Sequence, residues 1–283
     1  MSPAKAIKTF RDLLAFLTVI PVGGKEDFVF TSAENMYLFP IIGCFIGFIT
    51  SAYFIGSNFI LQFLIGGINN FVTLPVSVDF LVKLASAAMT IAFLLVITGL
   101  QHFDGLIDLG NALGYRNEHD RKMAAHAWTV NYSGAAFAII VEFIAFFGLF
   151  MLIPAFTNPL IIFATLISAE VAAKLAMVTI VWIGKPTHKG LGSIFLKKAK
   201  KNLNIIAYII SALVTFTLFT LAVNPMYGLL SIGIVFANIP IVYIMKKVAE
   251  KVFGGVSGDI IGATNEISRT ITLVLLAGVL IIL

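Results

Sequence analysis

The chain contains 283 residues, of which 59% are hydrophobic and only 12% are charged. Its mean hydropathy is +1.01, and its charged fraction is about half of the ~25% that soluble domains carry. These values exclude an ordinary soluble globular protein and indicate an integral membrane protein. Because a bilayer offers no water to backbone polar groups, the spanning segments are predicted to be helices.

The first 35 residues precede the first long apolar run. Residues 6–20 combine basic and apolar positions, and Pro21 follows them, so we predict a helix that lies on the membrane surface and ends at the proline. The apolar stretch before Pro21 lacks the small-residue cleavage site of a secretory signal. Residues 1–35 are therefore predicted to form an interfacial segment.

About seven later runs, with a range of six to eight, approach the ~20 apolar residues needed to cross a membrane. The last run is short unless its helix begins earlier, near Asp259 or Asn265. Residues 58–68 are predicted to be a re-entrant or surface piece. The fold class is therefore all-α, a polytopic integral membrane helical bundle. The predicted spans are 36–56, 82–100, 133–153, 159–183, 204–223, 226–245 and 270–283.

The nineteen Lys and Arg residues indicate which way the bundle faces. If the spans are seven, seventeen of these residues fall in segments on one side of the membrane, which the positive-inside rule assigns to the cytoplasm. We therefore predict one domain over 1–283 in the cell membrane, with a cytoplasmic N-terminus and polar loops, lipid as a partner and no nucleic-acid partner. Its oligomeric state stays open. The segments on the basic side are 1–35, 101–132, 184–203 and 246–269.

The second span is followed by the sequence HFDGLIDLGN. If the helix continues, Asp104, Asp108 and Asn111 lie at i, i+4 and i+7 on one face, with His102 at its start. Two stacked carboxylates repel each other unless a cation lies between them, and oxygen ligands suit Mg²⁺ or Mn²⁺ better than zinc. Bound Mg²⁺ commonly contacts substrate phosphates, so this pattern favours phosphate chemistry. The alternative is a solvated helix end without a metal.

The second polar loop, residues 184–202, contains six lysines and no acidic residue. Most of these lysines are explained by membrane topology and attraction to anionic lipid. Its first part, with Lys185, His188, Lys189 and nearby glycines, is a flexible cationic turn that favours binding of a diphosphate.

The third polar loop contains GGVSGDIIGATNE, residues 254–266. Gly255 and Gly258 let backbone N–H groups approach an anion, and Asp259 and Glu266 at i and i+7 place two carboxylates on one helix face. The segment has neither the Walker A pattern nor the Rossmann fingerprint, so ATP or NAD binding by those routes is not predicted.

Apart from Lys83 at the edge of the second span, three charged residues fall inside predicted spans. Glu170 and Lys174 stand at i and i+4 in the fourth span, and Glu142 stands alone in the third. Intramembrane charge is costly and often functional. Lys174 is therefore predicted to reach a phosphate in a cytoplasmic cavity, and the alternative is an internal ion pair with Glu170.

Five segments, in order along the chain, resemble motifs of the cobalamin synthase family. HFDGLID resembles the family's His-x-Asp-Gly-Leu-x-Asp signature, and the other four spread the resemblance over nearly the whole chain. The five segments are FLTVIPV at 16–22, FPIIGCFIG at 39–47, HFDGLID at 102–108, KGLGSIF at 189–195 and GGVSGDIIGATNE at 254–266.

This resemblance implies a multi-pass, Mg²⁺-dependent transferase acting late in cobalamin biosynthesis. Its substrates would be adenosylcobinamide-GDP and α-ribazole or α-ribazole 5′-phosphate, and GMP would be released. Asp104 and Asp108 would bind the metal with Asn111, and the lysines would hold a phosphate. His102 or a nearby carboxylate would accept the hydroxyl proton, with Asp259 as a further site residue.

The chain departs from the family pattern at three places. Asn111-Ala112 replaces a further Asp-Gly pair, TVNYSG at 129–134 replaces a stretch with an acid and a cation, and Lys174 stands where many members have Arg.

Two other functions remain as alternatives. A CDP-alcohol phosphotransferase requires Asp-Gly-x-x-Ala-Arg, which Asp104-Gly105 does not begin, and a transporter with inverted repeats is not supported because the sequence has no internal repeat.

Overall fold

The structure is a computed structural model that describes residues 2–23, 27–125, 129–152, 158–187 and 190–281, and only the backbone of residues 118, 122 and 125. These residues form α-helices joined by short connections and 3-10 turns. The helices are α1 Pro3–Leu17, α2 Phe28–Glu34, α3 Phe39–Asn69, α4 Val78–Ile97, α5 Gln101–Leu113, α6 Glu118–Ala125, α7 Tyr132–Met151, α8 Pro159–Ile183, α9 Leu191–Lys198, α10 Asn204–Ala222, α11 Pro225–Phe236, α12 Asn238–Phe253 and α13 Gly258–Ile281.

Seven helical segments of the described chain are long and apolar enough to cross a membrane. This result confirms the predicted polytopic α-helical bundle. Which side of the bilayer each loop faces stays a prediction. The seven segments are Met36–Asn69, Val78–Ile97, Tyr132–Met151, Pro159–Ile183, Lys201–Ala222, Pro225–Phe253 and Gly258–Ile281.

Three predicted boundaries change. Residues 58–68 continue α3 to Asn69, so the re-entrant or surface piece was wrong: the run has no proline or charge to interrupt the helix. The last span begins at Gly258, beside Asp259, which confirms the earlier start that the sequence left open and not the start at 270. Helix α1 starts at Pro3 and ends at Leu17, before the proline that was expected to stop it.

Helix α8 forms the centre of the bundle and is buried along nearly its whole length. Two glycines of α3 let the two helices approach closely. A Cβ at Gly47 would lie 2.5 Å from the Cα atom of Ile167, and one at Gly43 would lie 2.8 Å from the carbonyl oxygen of Glu170. Small residues four apart commonly allow such contacts between membrane helices. As a result, the charged residues of α8 lie in the interior.

Helix α5 follows α4 after a tight turn. Gly99 has a φ of +70° and Leu100 a φ of +60°, and the Leu100 N–H donates to the Leu95 carbonyl over 2.9 Å, which is the arrangement of a Schellman helix end. The turn directs α5 between α7 and α13. A Cβ at Gly105 would lie only 2.4 Å from the carbonyl oxygen of Asp259. The glycine of the Asp-Gly pair therefore lets α5 touch the start of α13.

Candidate active site

A cavity of about 320 Å³ lies where α1, α2, α5, α9 and the start of α13 meet. Its polar wall comes from α5 and α13, and its apolar wall comes mainly from α1, α2, α3 and α9. The polar wall contains Gln101, His102, Asp104, Gly258 and Asp259, and the apolar wall contains Phe16, Phe28, Val29, Phe39, Met177 and Phe195.

Three phenylalanines from three helices form a cluster in the apolar wall. The ring centroids of Phe16 and Phe195 are 4.8 Å apart, and that of Phe39 is 6.2 Å from Phe16 and 6.0 Å from Phe195. Such distances are typical of interacting aromatic rings. The cluster gives the cavity an apolar aromatic face opposite the carboxylates.

Three carboxylates, here called the mouth carboxylates, concentrate negative charge beside this cavity: Asp104, Asp108 and Asp259. Burial and the neighbouring Asp259 raise the pKa of Asp104. Burial raises the pKa of Asp108 to about 7, with further contributions from Asp259 and Asp104. The Ser257 hydroxyl donates a hydrogen bond to Asp259 over 3.2 Å. Asp104 and Asp108 are therefore close enough to Asp259 for its negative charge to add to the effect of burial on their pKa values.

The donor chemistry of the mouth carboxylates suits a hard cation. Among the described side chains, neither Asp104 nor Asp108 forms a hydrogen bond or an ion pair. No three His, Cys, Asp or Glu side chains of the described chain converge as a ready-made metal cluster. Mg²⁺ does not need one, because it is commonly held by one or two carboxylates together with water and substrate phosphates. The predicted Mg²⁺ site fits these residues and stays a prediction.

Asn111, the third predicted metal ligand, is buried and joins α5 to the start of α7. Its amide nitrogen donates to the Thr129 carbonyl over 2.9 Å, and its side-chain oxygen accepts the Asn131 N–H over 3.0 Å. Asn131 in turn caps α7 by accepting the Gly134 N–H over 2.8 Å. Hydrogen bonds between uncharged groups therefore connect Asn111 to residues 129–134, the segment that departs from the family pattern. Whether Asn111 also binds metal stays a prediction.

The second and third polar loops meet beside the cavity. The Lys185 carbonyl accepts the Val256 N–H over 2.7 Å, and a Cβ at Gly255 would lie 2.7 Å from the same carbonyl oxygen. A Cβ at Gly192 would lie 2.6 Å from the Gly258 nitrogen, so the first turns of α9 and α13 are in contact. The Lys185 side chain is exposed. Its predicted partners His188 and Lys189 lie outside the described residues.

Lys174 and Glu266 do not line the cavity but lie behind it. The Lys174 ammonium is 3.3 Å from a Glu170 carboxylate oxygen and donates to the Asn265 side-chain oxygen over 2.8 Å. The predicted internal pair of Glu170 and Lys174 is therefore present. Lys174 is fully buried, so any contact with a phosphate would require a change in its surroundings.

Arg269 completes this interior group. It forms an ion pair with Glu266, lies 3.4 Å from a Glu142 oxygen and lies 3.7 Å from a Glu170 oxygen. Arg269 stands three residues after Glu266 in the sequence, but it was not predicted as a site residue, because the span at 270–283 begins after it unless the earlier start is taken. We call Glu142, Glu170, Lys174, Glu266 and Arg269 the buried charge network.

His102 connects the cavity to this network. Its Nδ1 atom is 3.2 Å from the Asn265 amide nitrogen and 3.6 Å from a Glu266 oxygen. Burial, followed by the charges of Lys174 and Arg269, places the pKa of His102 well below its usual value, so the imidazole is neutral near pH 7. Asn265 had been considered only as a possible helix start, because a contact between residues 163 positions apart leaves no local signal.

Comparison with known proteins gives a consistent result. The family model of cobalamin-5-phosphate synthase matches residues 9–277. Proteins named adenosylcobinamide-GDP ribazoletransferase are similar over most of the chain: that of Methanosarcina barkeri is 27% identical, covering 95% of this chain and 91% of the relative. That of Archaeoglobus fulgidus is 28% identical, covering 92% of each, and that of Methanocella arvoryzae is 29% identical, covering 69% and 75%. No solved structure matches the chain.

Proposed function

Since the chain belongs to the cobalamin-5-phosphate synthase family, we propose that it transfers the cobinamide phosphate of adenosylcobinamide-GDP to α-ribazole or to α-ribazole 5′-phosphate. The products are adenosylcobalamin, or its 5′-phosphate, and GMP. The names of the relatives support the donor and the transfer of ribazole; the acceptor form and the release of GMP are part of the proposal. It is favoured over the CDP-alcohol phosphotransferase and transporter alternatives by the family membership.

The observation that carries this proposal is the cavity with carboxylates on one wall and an aromatic cluster on the other. Asp104 and Asp108 would hold Mg²⁺, with Asp259 beside them. The bound ion would offset the negative charge of the diphosphate, which is its usual contribution to phosphoryl transfer. Burial, together with repulsion from neighbouring carboxylates, raises the pKa values of Asp104 and Asp108, and a bound cation would offset both effects.

The aromatic cluster is suited to the planar base of the acceptor nucleoside. Stacking on Phe16 or Phe195 would orient the base without requiring hydrogen bonds from the wall. The cavity of about 320 Å³ is at the lower end of the range of ligand pockets. We infer that it holds the nucleoside and the reacting phosphates, while the corrin ring lies outside it.

The chain's residues then position the two substrates. The acceptor hydroxyl oxygen bonds to the cobinamide-side phosphorus, the bond from that phosphorus to the bridging oxygen breaks, and GMP leaves with that oxygen. The hydroxyl proton passes to a cavity carboxylate that does not hold the metal, for which Asp259 is placed. Lys185 and the first turns of α9 and α13 lie on the side where the guanosine phosphate would be held. We further propose that this end of the bundle faces the cytoplasm from the cell membrane.

The experiment is a GMP-release assay with the purified full-length protein in lipid. Mg²⁺, adenosylcobinamide-GDP and α-ribazole are supplied, and α-ribazole 5′-phosphate is tested in parallel to identify the acceptor. We expect GMP release that EDTA abolishes and excess Mg²⁺ restores. Absence of GMP with either acceptor, from protein that unfolds cooperatively on heating, would contradict the proposed function.

A further inference from the structure

The side chains behind His102 allow their hydrogen-bond donors and acceptors to be counted. The Lys174 ammonium carries donors only, and it lies 2.8 Å from the Asn265 side-chain oxygen. That atom must therefore be the acceptor, which fixes the orientation of the amide. The oxygen faces Lys174, and the NH₂ group of Asn265 faces the opposite direction.

The Asn265 NH₂ group has two hydrogens and two partners. It is 3.0 Å from a Glu266 oxygen and 3.2 Å from the Nδ1 atom of His102. Because an amide NH₂ group only donates, Nδ1 must accept. The Glu266 oxygen at 3.6 Å from Nδ1 is too far away to accept a hydrogen bond from it. A neutral imidazole that accepts at Nδ1 carries its proton on Nε2.

The Nδ1 edge of His102 is turned toward α13, and His102 is one of the residues that line the cavity. In the described part of the chain, Nε2 has no hydrogen-bond partner. It is therefore the ring atom left for a ligand.

We propose that Lys174 and Asn265 hold His102 as the Nε2–H tautomer, so that His102 donates a hydrogen bond to an anionic oxygen in the cavity and does not act as the base. The identification of that anionic oxygen as a substrate phosphate oxygen rests on the proposed function. Asn265 is then a positioning residue, and Lys174 orients Asn265. A fixed donor aimed at a phosphate stabilises charge that develops during transfer. The sequence-based role of His102 as proton acceptor is replaced by the cavity carboxylates.

The tautomer is measured by NMR on the full-length protein with ¹⁵N-labelled histidine, without substrate. Couplings between the ring nitrogens and ring protons identify which nitrogen carries the proton, and His102→Gln assigns the resonance among the four histidines. We expect Nε2–H for His102. A proton on Nδ1, or on both nitrogens, at pH 7.5 overturns the proposal. Because no substrate is present, this result is independent of whether GMP is released.

Asn265→Asp tests the positioning role. A carboxylate at 265 accepts from Lys174 and also from His102, so the proton should move to Nδ1. The matched control is Asn238→Asp, because Asn238 is another buried asparagine that donates to the Thr272 hydroxyl over 2.7 Å. The control should leave the His102 spectrum unchanged. An unchanged Nε2–H signal in Asn265→Asp shows that Asn265 does not set the tautomer.

Activity separates a donor from a base. A glutamine amide can donate a hydrogen bond but cannot accept a proton at neutral pH, so His102→Gln should keep at least about tenfold more kcat than His102→Ala, whose loss we expect to be about 10²–10³-fold. Asn265→Asp should lower kcat by about 10²-fold with little change in KM. Equal losses in His102→Gln and His102→Ala overturn the donor role, even if the tautomer is as expected.

Discussion

The mouth carboxylates and the buried charge network show two ways in which this chain places charge near a membrane. Helix α13 contributes to both, with Asp259 in its first turn and Glu266 and Arg269 further along. In the network, each carboxylate lies within 4 Å of Lys174 or Arg269. At the mouth, the carboxylates are partly solvated, and none of them forms an ion pair with a described Lys or Arg side chain.

This difference separates charge that holds the bundle together from charge that is available to a ligand. Removing one partner from a buried pair leaves an uncompensated charge in the interior, which is strongly destabilising. Removing a carboxylate from the mouth instead relieves repulsion. Substitutions in the buried charge network should therefore lower stability. Substitutions of the mouth carboxylates should lower activity and leave stability unchanged or higher.

The largest effect is expected from Arg269→Met. The substitution leaves the Glu266 and Glu142 carboxylates buried without their cation, so we expect a loss of about 3–5 kcal/mol in the free energy of unfolding. Thermal unfolding in detergent measures it. The control is Lys83→Met, which breaks an i,i+4 pair with the exposed Asp79 and should cost about 0.5 kcal/mol or less. Similar losses in the two variants would mean that the network is not a stabilising unit.

Asp104→Asn should show the opposite behaviour. We expect a fall in GMP release of about 10²–10³-fold, because an electrostatic group at the reacting phosphates is lost, while the melting temperature stays the same or rises. Asp79→Asn, at an exposed position in the first turn of α4, is the matched control and should keep full activity. A lower melting temperature in Asp104→Asn would instead place this carboxylate among the stabilising charges.

A smaller effect concerns pH. The pKa of Asp108 is raised to about 7 in the folded protein from an ordinary value of 3.8, so between these values the folded state binds more protons than the unfolded state. Stability of the metal-free protein should therefore fall as pH rises from about 4 to 7. Melting temperatures at pH 5, 6, 7 and 8 measure the trend.

Two variations identify the source of that trend. Asp108→Asn should flatten the pH dependence, because the residue no longer titrates. Millimolar Mg²⁺ should restore the melting temperature at pH 8, because the ion binds the deprotonated carboxylates. A pH dependence that is the same in Asp108→Asn would assign the effect to another group.

The smallest effect is expected in the aromatic cluster. Phe16→Leu removes an aromatic contact worth about 0.5–1.5 kcal/mol, which corresponds to a rise in the acceptor KM of roughly 2- to 12-fold. The control is Phe48→Leu, at an exposed position on α3. If both variants leave KM unchanged, the aromatic wall does not bind the base.

The features that sequence predicted are those set by neighbours along the chain. Apolar runs located the seven spans, and a spacing of four residues placed Asp104 and Asp108 one turn apart on α5. The start of α13 was left open between 270 and an earlier position near Asp259 or Asn265, because Glu266 and Arg269 lower the local hydropathy. Their pairing inside the bundle removes that penalty, and hydropathy alone does not reveal such a pairing.

The remaining features depend on packing between distant segments. The contact between Arg269 and Glu142 joins residues 127 positions apart, and it exists because α7 and α13 are adjacent. Likewise, the chain has 26 phenylalanines, and their spacing does not indicate that Phe16, Phe39 and Phe195 meet. The approach of α5 to α13 over Gly105 is what brings the polar wall of the cavity together.

The length of α3 has a consequence for the host bilayer. Its 31 residues, at ~1.5 Å each, make a rod of roughly 46 Å, whereas the hydrocarbon layer is about 30 Å thick. Even a tilt of ~40° leaves an excess of several ångströms. Gly43 and Gly47 allow the first half of α3 to pack closely against α8. The excess helix length therefore lies at the C-terminal end of α3, where Phe59 and Phe63 are exposed. Longer acyl chains should cover these rings and raise the melting temperature, which vesicles of graded chain length can measure.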